Sequence, residues 1–351
     1  MVITLEQRIG QLFLIGFEGD SLTKNHPIRN DITQNNLGGV ILFDRLLAKK
    51  KYLNNIISPK QLQTLTRDLQ ELTSDTLLIG VDQEGGNVSR FKKEMGFPVT
   101  PSAEKLGMES NTDLTRKSAE QTATMLQSTG INLNFAPVVD LNIYWKNPII
   151  GHYERSFAKN EKTVTAHAKA WIDAHRQKNI LSCLKHFPGH GSSHSDSHLG
   201  FVDITTTWRE DELLPYKELI KDGYADSIMA GHLINQNFDT QYPATLSRST
   251  LQLLLREKLR FDGVLISDDM QMKAITDYHG LEKGCCMALA AGIDMLIVGN
   301  NIEHDPAILT RLQNAVFAAL DRGILTEKRI EQAWERVQKF KSKIKKSHGT
   351  T

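Results

Sequence analysis

The polar residues best suited to chemistry stand at the ends of short apolar runs of the sequence. Asp82 ends one such run, Lys185 and His186 end another, and Asp268 and Asp269 end a third. A charged side chain in or beside a buried strand costs free energy unless it is paired or used. The repeated pattern therefore predicts a polar pocket at the place where several strands end.

The segment after Asp82 reads QEGGNVS and then Arg90. The adjacent glycines Gly85 and Gly86 allow a sharp turn, which can return Arg90 toward Asp82. An Asp in a pocket can accept hydrogen bonds from two sugar hydroxyls, and an Arg can donate several. The alternative is a salt bridge that fixes the loop, and this segment alone does not decide between the two.

Four of the 12 histidines fall at positions 186, 190, 194 and 198. Clustered imidazoles suggest zinc. A four-residue spacing gathers ligands on one side only in a helix, however, and Pro188, two glycines and three serines disfavour a helix here. We therefore predict a loop without a metal. Within it, Asp196 stands two residues before His198, so that its carboxylate can orient the imidazole as a general acid and base.

The run at residues 263–269 ends in Ser267, Asp268 and Asp269. An Asp held at the end of a rigid strand suits a nucleophile that must be ionised and accurately placed. Neighbouring side chains of a strand point to opposite sides, so only one of the two can enter the pocket. If Asp268 faces inward, Asp269 points toward the following helix.

Eight apolar, β-branched runs are separated by helical patterns, and most of them are continuous instead of alternating. Continuous runs are typical of strands covered on both sides by helices. The predicted strands are residues 11–17, 39–43, 77–82, 132–137, 181–187, 227–233, 263–269 and 295–300, with His232 in the sixth, and the predicted helices include 113–128, 162–178, 208–221, 249–259, 280–291 and 305–322. Eight such units predict an α/β fold, a (β/α)8 TIM barrel. A doubly wound sheet is the alternative, but no glycine-rich fingerprint follows the first strand.

The predicted domain organisation is a single domain over residues 1–351, with a core at about 5–325 and a C-terminal helix at about 326–346. A barrel of this class needs about 250 residues. Most of the surplus falls in long loops after strands three to five. The lysine-rich end, residues 339–346, is interpreted as a frayed, solvated helix end.

The composition excludes several classes of protein. With 42 Lys and Arg against 41 Asp and Glu, the formal net charge is +1, which disfavours nucleic-acid binding. The hydrophobic fraction of 40% is too high for disorder. No secretory signal or membrane span is recognised, and three cysteines suggest reduced, buried thiols. We expect a monomer in the cytoplasm, although removal of a leader before residue 1 stays open.

Several strings together resemble glycoside hydrolase family 3, in its branch of single-domain bacterial β-N-acetylglucosaminidases. They extend in order through almost the whole chain, and their joint order and spacing are highly specific. The strings are DQEGG from Asp82 with Arg90-Phe91, NFAPVVD from Asn134 to Asp140, Arg155-Ser156-Phe157, KHFPGHG from Lys185 to Gly191, Asp196-Ser197-His198, PATLS from Pro243 to Ser247, and Ser267-Asp268-Asp269.

The resemblance implies a retaining exo-β-N-acetylglucosaminidase without a metal or other cofactor, acting on a small carbohydrate from cell-wall recycling. Asp268 corresponds to the nucleophile, and His198 with Asp196 to an acid/base dyad. The implied substrate-binding residues are Asp82, Arg90, Arg155, Lys185 and His186. The sequence departs from the family pattern at Asn87 and at residues 152–154, so the leaving-group preference is the least defined property.

Three other functions stay open at this point. A β-glycoside phosphorylase of the same family is an alternative, because a neutral imidazole repels phosphate less than a carboxylate does. A β-glucosidase-like hydrolase without an N-acetyl requirement is another. Lys185 at a strand end also fits a Schiff-base lyase, but that function leaves Asp268 unused. A non-catalytic sugar-binding barrel is disfavoured, since all three catalytic positions of the family are filled.

Overall fold

The computed structural model describes residues 3–109, 111–195, 200 and 202–345. Within these residues, eight parallel strands form the centre of the fold and helices surround them. A separate two-stranded sheet pairs β6 with β8. The strands are β1 (Phe13–Gly16), β2 (Gly39–Ile41), β3 (Leu78–Val81), β4 (Leu133–Asn134), β5 (Leu181–Phe187), β6 (Val202–Asp203), β7 (Ser227–Ala230), β8 (Leu233–Ile234), β9 (Val264–Ser267) and β10 (Leu296–Val298).

The eight central strands are neighbours in the order β10-β1-β2-β3-β4-β5-β7-β9. Leu14, for example, lies opposite Ile297 of β10 on one side and Gly39 of β2 on the other. A parallel bridge between Ile266 and Met295 joins the two ends of this order and closes the ring. The predicted (β/α)8 barrel is therefore confirmed, and the doubly wound sheet is excluded.

Helices fill the connections between the strands and cover the outside of the barrel. The α-helices are α1 (Leu5–Gly10), α2 (Pro27–Thr33), α3 (Pro59–Gln70), α4 (Ala103–Gly107), α5 (Asp113–Ser128), α6 (Glu161–Gln177), α7 (Leu214–Lys221), α8 (Lys273–His279), α9 (Leu281–Ala291), α10 (Ile308–Asp321) and α11 (Glu327–Lys341). Short 3₁₀ turns span Leu47–Lys49, Lys93–Met95, Glu210–Leu213 and Ala244–Leu246, and a π-helix spans Ser249–Lys258.

Local sequence explains where several helices begin. Ser58 caps α3 by accepting a hydrogen bond from the backbone N–H of Gln61, whose side chain accepts from the Ser58 backbone in return. Pro59 follows as the first helical residue, where its missing N–H costs nothing. The predicted bounds of α5, residues 113–128, are the observed ones. The predicted sixth strand is shorter than expected, because it ends at Ala230 and a separate short strand, β8, starts at Leu233.

The barrel strands are buried on both sides. All residues of β1, β2, β3, β5, β7, β9 and β10 are buried, and the helices contribute apolar side chains to the same core. This double burial is the reason that the strands are continuous in apolar residues. Because the strands are parallel, their carboxyl ends meet at one mouth of the barrel, which is where polar residues begin.

The C-terminal helix α11 packs its apolar stripe, Ile330, Val337 and Phe340, into the core. Each such buried side chain contributes about 1.5–3 kcal/mol. The expectation of a frayed, solvated end is wrong for Lys341, which is only 4% exposed and donates to Gln11 Oε1 at 2.7 Å. The physical reason is that α11 continues to this residue and contacts α1, and the side chain reaches Gln11, the residue after α1.

We expect the contribution of Lys341 to stability to grow as the pH rises from about 7 to about 10. Burial lowers the pKa of Lys341 to about 7, whereas an unfolded lysine titrates near about 10.4. At this residue the unfolded state therefore binds more protons in this window, and its contribution to the free energy of unfolding rises with pH. Urea unfolding of the parent protein and of a variant without the lysine, at several pH values, measures this contribution.

The variant Lys341→Met should make the change of unfolding free energy with pH less positive than in the parent protein, because it removes the titrating group. Lys328→Met, on an exposed position of the same helix, is the matched control and should retain the slope of the parent protein. A slope that is unchanged in Lys341→Met would contradict the assignment.

Candidate active site

A cavity of about 360 Å³ opens at the carboxyl ends of the barrel strands. Its volume lies within the ~300–1,000 Å³ that small-molecule sites occupy. All six predicted site residues that belong to the described part of the chain line it. The lining residues are Arg45, Asp82, Glu84, Asn87, Val88, Arg90, Ile149, Tyr153, Arg155, Lys185, His186, His190, Met229 and Asp268.

Lys185 is buried near the end of β5, with its side chain only 2% exposed. Its ammonium donates to Asp82 Oδ1 and pairs with Glu84 Oε1, each at 2.8 Å. Burial alone would raise the pKa of Asp82, but the cations of Lys185 and Arg90 lower it below its usual value. Burial would likewise lower the pKa of Lys185, yet the two carboxylates raise it. Asp82 and Lys185 are therefore both charged at neutral pH.

Arg155 approaches the same cluster from the loop after β4. Its guanidinium makes a two-bond pair with Glu84, with both N–O distances at 2.8 Å. The same Nη2 donates to His186 Nε2 at 3.2 Å, so this ring nitrogen is an acceptor. Burial would raise the pKa of Glu84, but Arg155 and Lys185 hold it well below its usual range. Glu84 thus fixes two cations that face the cavity.

His186 is oriented by Asp140, which follows β4. Its Nδ1–H donates to Asp140 Oδ2 at 2.8 Å, which leaves Nε2 directed at the cavity side where Arg155 lies. The same carboxylate accepts from the backbone N–H of His186 at 3.2 Å and of His190 at 2.8 Å. Burial would raise the pKa of Asp140, but His186 lowers it. Asp140 therefore fixes both the orientation of the His186 ring and the position of the backbone at His186 and His190.

The loop after β3 turns back as the sequence indicated. Gly85 and Gly86 have φ values of +96° and +56°, which L side chains rarely adopt. Arg90 returns to within 3.5 Å of Asp82 Oδ2 and 3.9 Å of Asp44 Oδ1. Arg90 and Asp82 therefore form the salt bridge and both line the cavity, and their binding of sugar hydroxyls stays a prediction.

Asp268 follows the last residue of β9 and lines the cavity. Its backbone N–H donates to Ala230 O of β7 at 3.1 Å, and its Oδ1 accepts from the Asp269 N–H at 2.8 Å. The Asp269 carboxylate instead accepts from the N–H groups of Gln271 and Gly299, each at 3.0 Å. The two neighbouring carboxylates therefore accept different hydrogen bonds, and only Asp268 lines the main cavity, although Asp269 lines the smaller lobe beside it.

A smaller lobe of about 170 Å³ adjoins the main cavity and shares Arg45, Asp82, Arg90, Met229 and Asp268 with it. Its further wall has six apolar and three polar residues, which are Ile41, Phe43, Leu47, Met272, Ile297 and Ile302, and Asp44, Asp269 and Asn301. Asp268 therefore lies where the charged main cavity meets a lobe with a mixed lining.

His232, a polar residue of the predicted sixth strand, does not line either cavity. It is fully buried and donates from Nε2 to the Asp269 carbonyl at 3.0 Å, while Nδ1 lies 2.8 Å from Thr245 Oγ1. The strand β7 ends at Ala230, so His232 follows the turn behind the pocket wall. Its role is to hold the backbone next to Asp268.

The proposed dyad Asp196 and His198 lies outside the described residues. The preceding stretch, residues 189–193, is buried and is held by hydrogen bonds to the side chains of Asn147 and Glu212. Asn147 donates to the carbonyl oxygens of His190 and Gly191 at 2.7 and 3.2 Å, and Glu212 accepts from Gly191 N at 3.1 Å. The acid/base pair thus stays a prediction of the sequence.

Comparison with known proteins assigns the chain to a family. The family model described as "Glycosyl hydrolase family 3 N terminal domain" matches residues 4–340. The chain belongs to glycosyl hydrolase family 3. It is a glycoside hydrolase with the barrel, the cavity and the strand-end residues described above.

Three similar proteins support this membership. A protein of Tolumonas auensis named beta-hexosaminidase is 39% identical over 283 residues, covering 79% of this chain and 80% of that protein. A family 3 β-N-acetylglucosaminidase from Paenibacillus sp. str. FPU-7 superposes with a TM-score of 0.88 at 31% identity, covering 100% of this chain and 66% of that one. A β-N-acetylhexosaminidase from Beutenbergia cavernae superposes with a TM-score of 0.84 at 28% identity, covering 97% of this chain and 99% of that one.

Two carboxylates that hold residues of this family 3 cavity in place were absent from the predicted site residues. Glu84 stands two residues after Asp82, and Asp140 ends the string NFAPVVD, so both lay inside the strings that carry the resemblance. The signal that could have found them is charge balance, because Lys185 and Arg155 could not both be buried without further anions.

The departures from the family pattern lie at the cavity mouth. Asn87 Nδ2 is 3.4 Å from the Tyr153 carbonyl oxygen, and Tyr153 is 43% exposed while lining the cavity.

In the described part of the chain, no group of three or more His, Cys, Asp or Glu side chains is placed to hold a metal ion. No helix in that part is long and apolar enough to cross a bilayer.

We expect Glu84→Gln to lower the free energy of unfolding by about 3–5 kcal/mol, because it leaves two buried cations without their shared anion. The KM for substrate should rise as well, since Arg155 and Lys185 lose their fixed positions. Urea unfolding and steady-state kinetics measure the two effects.

Glu18→Gln is the matched control, because Glu18 also pairs with two cations, Lys49 and Lys51, but at the surface. Removing an exposed pair costs about 0–1 kcal/mol. Equal, small losses in both variants would show that the Glu84 cluster does not stabilise the site.

Proposed function

We propose that this family 3 hydrolase is a retaining exo-β-N-acetylhexosaminidase that removes terminal β-linked N-acetylglucosamine. The observation that carries the proposal is the position of Asp268, which enters a charged cavity from the end of a barrel strand beside Asp82, Lys185 and Arg155. Such a cavity supplies a nucleophile and several fixed groups for a polyhydroxylated ring. The names of the relatives supply the amino-sugar preference.

In the first step, a carboxylate oxygen of Asp268 attacks the anomeric carbon and forms a glycosyl ester. The bond from that carbon to the glycosidic oxygen breaks, and its electron pair goes to the oxygen. His198, protonated and oriented by Asp196, gives its proton to this oxygen, so the leaving group departs as a neutral alcohol. His198 is neutral at the end of the step.

In the second step, the neutral His198 takes a proton from a water molecule as that water attacks the anomeric carbon. The ester bond breaks, and Asp268 leaves as a carboxylate. Two inversions at one carbon return the β configuration, so the product is β-N-acetylglucosamine. His198 regains its proton and is ready for another cycle.

The charged cluster binds the ring of the departing sugar in this proposal. Asp82, whose pKa is lowered, is an ionised acceptor for hydroxyl groups. Lys185 donates to Asp82 and pairs with Glu84, and its ammonium has three N–H groups in all. Arg90, Arg155 and His186 complete the polar wall. Since these groups are fixed by one another, they are placed before the substrate arrives, which lowers the entropy cost of binding.

The natural substrate proposed is a peptidoglycan recycling fragment with N-acetylglucosamine at its non-reducing end, hydrolysed in the cytoplasm. The cysteines support a reducing compartment, because Cys183, Cys285 and Cys286 are all buried and unpaired. Burial raises the pKa of Cys183 to about 12, so this thiol is unreactive. The protein is proposed to act as a monomer.

Phosphorolysis is the second candidate, favoured by the imidazole that replaces a carboxylate as the acid/base in the proposed dyad. A neutral imidazole does not repel an incoming phosphate anion. Product identification with and without phosphate separates the two functions: hydrolysis gives the free sugar in both, and phosphorolysis gives the sugar 1-phosphate.

A panel of aryl β-glycosides tests the substrate class. The β-N-acetylglucosaminide should be turned over at least ~100-fold faster than the β-glucoside, since missing hydrogen-bond partners in a polar site cost several kcal/mol. Comparable rates on both would favour a β-glucosidase-like hydrolase without an N-acetyl requirement.

A further inference from the structure

Glu212 is a buried carboxyl group that the two-step displacement does not use. It lies in the 3₁₀ turn Glu210–Leu213 and is only 1% exposed. Within the described residues it forms no ion pair with a Lys or Arg. A buried carboxylate without a cationic partner costs free energy, so its presence at this place points to a role.

The hydrogen bonds of Glu212 reach two separate stretches of the chain. From the stretch after β5, Gly191 N and Ser192 N donate to Oε2 at 3.1 and 3.3 Å, and Ser192 Oγ donates to Oε1 at 2.6 Å. From the stretch before the 3₁₀ turn, Arg209 N donates to Oε1 at 3.2 Å. One carboxylate therefore joins residues on both sides of the segment that carries Asp196 and His198 in the sequence.

Local packing brings the carboxylate close to the first of these stretches. Gly189 has a φ of +122°, and a Cβ at this position would lie 2.7 Å from Glu212 Cβ. A side chain at residue 189 would push the two stretches apart. The glycine thus permits the contact that the hydrogen bonds use.

The partners of Glu212 suit its ionised form, because all four are donors. Burial, together with the nearby Asp140 carboxylate, raises the pKa of Glu212 to about 7, although the bonds from Ser192 and Arg209 oppose the rise. Replacing one oxygen by an amide nitrogen would set N–H groups against N–H groups. The cluster is therefore sensitive to a change of a single atom.

We propose that Glu212 is a positioning residue for general-acid catalysis, joining both ends of the segment that carries the Asp196 and His198 dyad. This role rests on the proposed function, because it acts through His198. Residues 191 and 192 precede Asp196 by only a few positions, so fixing them restricts the positions that are accessible to the dyad.

The variant Glu212→Gln tests the role with two aryl β-N-acetylglucosaminides. For a phenyl leaving group, which needs a proton, kcat/KM should fall roughly 10–100-fold, a part of the ~10²–10⁴ that general acids contribute. For a dinitrophenyl leaving group, which departs without a proton, kcat/KM should change little. Equal losses on both substrates, or no loss on either, would overturn the inference.

Controls separate positioning from folding. Asp31→Asn removes another buried carboxyl group with a raised pKa, of about 6, outside the cavity lining, and it should show no dependence on the leaving group. Ser192→Ala removes only the 2.6 Å bond and should show the same dependence as Glu212→Gln to a smaller degree, which keeps the test open if the Gln variant folds poorly.

His198→Ala in the same assay distinguishes this inference from the proposed function. If His198→Ala shows the leaving-group dependence and the variants of Glu212 and Ser192 do not, the positioning role of Glu212 is wrong. The assignment of His198 as the general acid is then still supported. If His198→Ala shows no such dependence, the proposed acid is wrong, and the role of Glu212 falls with it.

Discussion

Asp268→Ala should lower kcat/KM for an aryl β-N-acetylglucosaminide by at least about 10⁴-fold, the scale of loss when a nucleophile is removed. The carboxylate is the group proposed to form the covalent bond, and an alanine at the end of β9 leaves the strand register unchanged. Circular dichroism and thermal unfolding should match those of the parent protein. Steady-state kinetics measure the loss.

Added azide tests which face of the sugar Asp268 occupies. The anion is small enough to enter the space left by the carboxylate, and it would attack the anomeric carbon from the face that Asp268 occupies. A single inversion gives the α-glycosyl azide, which nuclear magnetic resonance identifies. Production of this azide by Asp268→Ala alone would assign the nucleophile by its geometry.

Asp269→Asn is the matched control. Its Oδ1 accepts from the N–H groups of Gln271 and Gly299, and an amide oxygen can accept the same two bonds. Activity should therefore remain within about one order of magnitude of the parent, the size of one altered neutral hydrogen bond. If Asp269→Asn were inactive and Asp268→Ala active, the two roles would be reversed.

His198→Ala should lower kcat/KM for a phenyl β-N-acetylglucosaminide by about 10²–10⁴-fold, the contribution of a general acid. The loss should be much smaller for a dinitrophenyl substrate, because that leaving group needs no proton. Hydrolysis of the glycosyl ester also needs the base, so the covalent intermediate should accumulate. Rapid mixing should then show a burst of dinitrophenol.

The product formed with azide separates this variant from that of Asp268. Azide needs no base, so it should accelerate turnover of His198→Ala and give the β-glycosyl azide after two inversions. Asp196→Ala should show the same pattern to a lesser degree, because it removes the group that orients the imidazole.

His194→Ala provides a control within the same segment. Its ring lies against that of Tyr144, with the centroids 4.2 Å apart, and it should lose activity equally on both substrates or not at all. Leaving-group dependence in His194→Ala and its absence in His198→Ala would move the acid to residue 194.

The barrel could be predicted from the sequence because its strands are covered on both sides. Continuous apolar runs such as residues 181–187 are typical of buried parallel strands, and eight of them alternating with helical patterns favour a closed barrel. The bounds of α5 were also predictable, since its apolar periodicity ends at Gly130. The pair β6 and β8 was missed, because strands of two residues are too short to show a period.

The cavity was predictable to the extent that strand ends converge. Six predicted residues meet there, although Lys185 and Asp82 are 103 positions apart in the chain. Glu84 and Asp140 were missed because their importance lies in pairing with Arg155 and His186, and such contacts depend on loop conformation. Lys341 was misjudged for a similar reason, since its hydrogen-bond partner Gln11 lies 330 positions earlier in the chain.

Covalent trapping tests the central proposal most directly. A 5-fluoro glycosyl fluoride of N-acetylglucosamine, a slow substrate analogue, should label the protein, and fragmentation of the labelled peptide should place the sugar on Asp268. Magnetic resonance of the normal reaction should show the β product first. A label on another residue, or an α product, would contradict a retaining displacement by Asp268.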